Sequence, residues 1–150
     1  MKHIPENDSI RQDLHGAHLS REGFMGDDAR SFETIIADDA LALSSIDVTP
    51  RKIADKMEEL TTAGMEGQGG RIPTGEYLVE VEEFMGQFNC PFRDARVPKR
   101  NTLAVDKKGR TYTWSDLSIH LIRAHGFFQG EGSTYRLSPV ALARFLGLAE

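Results

Sequence analysis

The sequence predicts an α+β fold: an N-terminal helical hairpin packed with a small antiparallel sheet, a histidine-bearing helix and a C-terminal helix. Three observations carry this expectation. Phe32, Ile35, Ile36, Ala40 and Leu43, then Ile53, Ala54, Met57 and Leu60, fall at helical spacing on either side of a short joint. Glu76 to Phe84 alternates instead, with Tyr77, Val79 and Val81 on one face. Thr102 to Val105 and Arg110 to Trp114 alternate around Asp106-Lys107-Lys108-Gly109, a turn whose glycine suits a tight hairpin.

In chain order, residues 1–26 read as an irregular segment, with a short helix over Ile10 to Leu14 capped by Ser9. The first helix is expected from the acids Asp27-Asp28 onward, and the second from Thr49-Pro50, a capping hydroxyl followed by proline at the first helical position. The hairpin then occupies 27–64. Gly64 to Gly70 resembles a phosphate-cradling loop in composition only, because it leaves a helix and leads to a strand, so it reads as a connector. Thr113 or Ser115 caps a helix running to about His125, and Gly126 suits the position after it. Phe127 to Gln129 and Thr134 to Leu137 read as two short strands around G-E-G-S, completing a region 76–137. Ser138-Pro139 opens a closing helix over 138–150.

A chain of 150 residues is most simply one domain, residues 1–150, able to bury its own core. One cysteine, Cys90, excludes an internal disulfide and fits a reducing cytoplasm. No apolar run approaches a membrane span, and the N-terminus lacks the apolar segment of a secretory signal. Between Arg93 and Arg110 seven basic residues face two acids, a net +5 that leaves −10 on the rest of a chain whose total is −5. Arg93, Arg96, Lys99 and Arg100 on an expected basic loop, with Arg123 and Arg136 elsewhere, are therefore the candidate residues for an anionic ligand or an acidic partner face. The plainer reading is a solvated loop and hairpin tip. Few aromatics interleave with these charges, and the helices Phe32 to Leu60 are rich in acid, so nucleic acid is a weak alternative.

The candidate metal residues are Cys90, His120 and His125, joined by His15 and His18, which stand three apart. A zinc site needs Cys90 as thiolate and neutral imidazoles, with a fourth donor from His15, His18, Asp94 or a water. On an ideal helix five positions turn through about 500°, which sets His120 and His125 roughly 140° apart. Sharing a metal then calls for a loosened last turn, which Gly126 at the helix end permits. The same geometry puts His125 near the buried face of Trp114, Leu117 and Leu121, and His120 on the flank. Without a metal, His125 reads as a core or capping histidine at the helix C-terminus, and Cys90 as a small buried apolar residue.

Leu117 to His125 resembles the helix of a classical zinc finger, and Cys90-Pro91-Phe92 its cysteine knuckle. The chain departs from that family in having Arg93 where a second cysteine would come, and a far longer gap from Cys90 to His120. A DNA-reading finger is not implied. More broadly, C-P-F, W-S-D-L-x-x-H-L-I-x-x-H-G-F-F and G-E-G-S-x-Y-R-L resemble segments of a small bacterial cytosolic family with no assigned activity, over roughly Leu19 to the C-terminus. That resemblance implies no reaction. The expected function is binding, to a protein partner or a small anionic ligand, with room for a structural zinc. A metal-dependent hydrolase on Cys90, His120 and His125 is the enzymatic alternative.

Overall fold

The computed structural model describes residues 23–150. The expected capped helix near Ser9, and His15 and His18, lie outside the described residues. Helix α1 spans Phe32–Ser44, with Ser31 at its N-cap accepting from the Thr34 N–H, and α2 spans Pro50–Gly64 with Thr49 as its cap. The start of α1 is later than expected. Asp28 does not open the helix: its carboxylate takes the Arg30 guanidinium and the Glu131 N–H, which together hold its pKa well below the usual carboxylate range.

Four strands, β1 (Ile72–Thr74), β2 (Tyr77–Asn89), β3 (Arg96–Asp106) and β4 (Thr111–Ser115), form an antiparallel sheet in chain order. Helices α3 (Asp116–His125) and α4 (Pro139–Phe145) complete the α+β architecture. The short β1 carries too few residues to show an alternation and was not foreseen. Strands β2 and β3 both run further than expected. Their ladder shifts register between Phe84 and Gln87, so Met85 and Gly86 bulge out opposite the Lys99–Pro98 step. The bulge lets Pro98, which has no N–H to give, sit within a strand. The basic stretch from Arg96 to Arg100 is therefore strand rather than loop.

The glycine-rich stretch after α3 forms no strands. It turns repeatedly against residues 24–28, through Gly130 N–H to the Phe24 carbonyl and Asp27 N–H to that of Glu131. A methyl group on Gly130 would overlap the Met25 carbonyl, so a side chain is excluded there. Ser138 and Pro139 do start α4, although the Ser138 hydroxyl makes no capping bond and the helix ends at Phe145, short of the expected 150.

Two apolar clusters hold the fold. One joins α2, α4 and the sheet through Ile53, Met57, Leu60, Val79, Trp114 and Leu142. The other gathers Phe24, Phe32, Ile35, Cys90, Leu121 and Phe127 around the second half of α3. Inside the first, the Trp114 indole N–H donates to Thr61 Oγ1 at 2.9 Å, and Thr61 bonds Thr102 at 2.6 Å. All three residues are buried. Thr61→Val leaves an indole N–H and a hydroxyl unpaired in the core, and is expected to cost about 2 kcal/mol in urea unfolding. An unchanged midpoint would show that this bridge adds nothing.

Candidate metal centre

The site is built by a tight turn and one helix. After β2 ends at Asn89, Cys90 accepts from Arg93 N–H and donates its own N–H to Ala95, closing residues 90–95 before β3. Arg93, at φ 65°, takes the left-handed conformation this turn demands. Cys90 and Asp94 thus stand across the same turn.

Helix α3 is fixed at both ends. Ser115 and Ser118 form a reciprocal capping box, and Gly126, at φ 62°, closes the other end by donating to Ile122 while Phe127 donates to Leu121. The helix stays regular through His125, so no loosening is needed. The two imidazoles turn toward each other, with ring centroids 5.5 Å apart, and both reach Asp94. His120 Nε2 lies 2.9 Å from one carboxylate oxygen and His125 Nε2 2.8 Å from the other. Both histidine side chains are 20% exposed, so neither is a core residue and neither merely flanks the site. Phe92 stacks flat on the His125 ring at 4.1 Å and is itself braced edge-on by Phe32 and Phe127.

Cys90 Sγ lies 3.9 Å from His125 Nε2, and the donor atoms of Cys90, Asp94, His120 and His125 all fall within 4.8 Å of one another. Together they form a group able to hold a metal ion. Burial, with the neighbouring Asp94 carboxylate, pushes the Cys90 thiol up to about 12. Burial also opposes ionisation of Asp94, but the Cys90 thiol and the two histidines overcome it and hold Asp94 at about 2. Desolvation lowers His125 against the pull of Asp94, favouring the neutral imidazole that binds metals.

The six candidate anion-binding residues are not gathered in one place. Arg93 and Arg96 line an open depression of about 530 Å³ beside the metal donors, together with Cys90 and Asp94. Arg96 donates to Asn89, and Lys99 lies over the Phe88 ring. Arg100 is held by Asp116 at 2.6 Å and by Met65. Arg123 crosses to Asp55 and Glu58 of α2, and Arg136 grips Asp39 of α1 with both terminal nitrogens.

Asp94 was legible only as one donor among several, and its place four residues after Cys90 in a proline-stiffened turn is the signal that singles it out. Phe92, which orients His125, carried no metal-site signal of its own. No helix among the described residues is long and apolar enough to cross a membrane. The chain matches no protein-family model, no curated protein and no solved structure.

Proposed function

We propose that Cys90, Asp94, His120 and His125 hold a structural zinc ion that ties the β2–β3 turn to α3, and that the protein acts by binding rather than by catalysis. The observation that carries this reading is the mutual proximity of four donors within 4.8 Å. Zinc bonds of about 2.0–2.1 Å to nitrogen or oxygen and about 2.3 Å to sulfur place donors roughly 3.3–3.6 Å apart in a tetrahedron. The observed separations of 2.8, 2.9 and 3.9 Å bracket that range. One thiolate, two imidazoles and one carboxylate make a mixed set that suits zinc better than the all-oxygen shells of calcium or magnesium. Four protein donors leave no place for a reacting water, the mark of a structural site. A reduced thiolate ligand also fits a cytoplasmic protein.

Elemental analysis of protein purified without chelator is expected to find about one zinc per chain, lost in the variant Cys90→Ser, His120→Ala. No metal, with unchanged stability in that variant, would end the proposal. Zinc affinity should rise with pH, because the thiol proton held at about 12 must leave when the metal arrives. One proton released corresponds to about tenfold tighter binding per pH unit between pH 6 and 8. Competition titrations against a chelator of known affinity would measure that slope, and a flat profile would exclude Cys90 as a ligand.

With the turn anchored in this way, Arg93 and Arg96 present positive charge beside the centre. This supports an anionic ligand or an acidic partner face there, and supports nucleic acid less, because Arg100 and Arg110 are committed to Asp116 and Asp106. A second reading, a metal-dependent hydrolase, draws on the 40% exposure of the Asp94 side chain, the most accessible of the donors. Bound zinc would supply an activated water if that ligand gave way. Ester or phosphoester turnover that is lost in His120→Ala would favour the hydrolase; no turnover by zinc-loaded protein favours the structural centre.

A further inference from the structure

A separate cavity of about 50 Å³ adjoins the first turn of α3, away from the histidines on its last two turns. Its apolar walls are Phe24, Phe88 and Leu117. Its polar walls are Asn101, Ser115, Gln129 and Tyr135, and no charged residue lines it among the described residues.

Gln129 is the unusual member. It is only 4% exposed, yet its backbone is left-handed at φ 73°, a conformation that glycine, the next residue, would adopt without strain. The surroundings enforce it. The Gln129 carbonyl accepts from Arg136 at 2.6 Å, and the same guanidinium is locked on the buried Asp39. Ser133 Oγ then donates to Gln129 Oε1 at 2.7 Å, which fixes the carboxamide. That leaves the Gln129 amide N–H₂ without an acceptor among the described residues. The Asn101 carboxamide and the Tyr135 hydroxyl likewise have no hydrogen-bond partner among the described residues. Asn101 and Tyr135 are half-buried, and none of the three groups is sealed from solvent, so each has hydrogen-bonding capacity that water in the cavity meets and a ligand can take over.

We propose that this cavity binds a small neutral molecule through an amide-type group. The argument is one of complementarity. A charged occupant would lose its hydration with no opposite charge to replace it. A purely apolar one would leave Gln129, Asn101 and Tyr135 unpaired. An amide offers a carbonyl to the Gln129 donor and an N–H to the Tyr135 oxygen or Asn101 carbonyl, while its flat apolar edges meet Phe24, Phe88 and Leu117. The volume accommodates a few non-hydrogen atoms, so a larger ligand would insert its amide and leave the remainder outside.

The test is a titration of ¹⁵N-labelled, zinc-loaded protein with acetamide, acetate and benzene, following the side-chain amide signals of Gln129 and Asn101. Acetamide should give saturable shifts of those signals, and acetate and benzene none. Tyr135→Phe and Asn101→Leu should each weaken acetamide binding about three- to tenfold, the effect of one lost hydrogen bond. Gln129→Gly keeps the left-handed backbone, removes the donor and should abolish the response, while an unchanged dispersed spectrum certifies its fold. No saturation by acetamide up to concentrations on the order of 100 mM, the weak limit for so small a ligand, would overturn the assignment and leave a water-filled cavity. Equal shifts with benzene would overturn it too. Repeating the titration after chelation separates this site from the metal centre, since neither result depends on zinc.

Discussion

Removing the metal with a chelator is expected to lower the melting temperature by roughly 8–16 °C. The expectation comes from linkage: a ligand bound only by the folded state, present at about 1,000 times its dissociation constant, adds about 4 kcal/mol. For a domain of this size each kcal/mol moves the midpoint by about 2–4 °C. The loss should not be complete unfolding. The first apolar cluster, from Ile53 to Leu142, is assembled without the metal residues. The second contains Cys90 itself and rests on the turn that zinc would anchor. Differential scanning calorimetry before and after chelation, with zinc added back, would measure the effect. An unchanged midpoint in a chain that does bind zinc would make the ion a surface passenger.

Asp39→Ala should be nearly as damaging, at about 3–5 kcal/mol, because it strands the Arg136 guanidinium in a site where only 16% of its side chain is exposed. The pair is bidentate, at 2.7 and 3.0 Å, and joins α1 to the segment before α4. Arg136 also holds the strained Gln129 carbonyl, so its loss releases that loop. The double variant Asp39→Leu, Arg136→Met removes both charges and should recover the part of the stability lost to the stranded guanidinium, though not the Arg136 bond to the Gln129 carbonyl. Urea denaturation of the two variants decides the point. Equal losses in both would mean that packing around these residues, rather than the ion pair, holds the fold.

Much of this architecture could be read from local signals. Thr49-Pro50, Ser115, Gly126 and the Asp106 to Gly109 turn each act within a few residues, and each sits where expected. Failures came where tertiary contacts override local pattern. Phe127 to Leu137 alternates well enough for strands, yet the close fit of Gly130 against Met25 folds it into turns. Pro98 argued for a loop until the Met85–Gly86 bulge gave it a place in β3.

The metal residues were legible as types and spacing but not as a constellation. Backbone angles alone set His120 and His125 on different faces of the helix. Their rings converge because a carboxylate, contributed from the turn after β2, lies within reach of both. That meeting depends on how far β2 and β3 extend, and one-dimensional pattern does not encode it. The cavity around Gln129 was invisible for the same reason, since its walls come from five separate parts of the chain.

The most direct test of the central claim is X-ray absorption at the zinc edge of the metal-loaded protein. The account predicts a four-coordinate shell with one sulfur at about 2.3 Å and three nitrogen or oxygen donors at about 2.0–2.1 Å. The sulfur contribution should vanish in Cys90→Ser. A shell without sulfur, or a six-coordinate shell of oxygen alone, would contradict it.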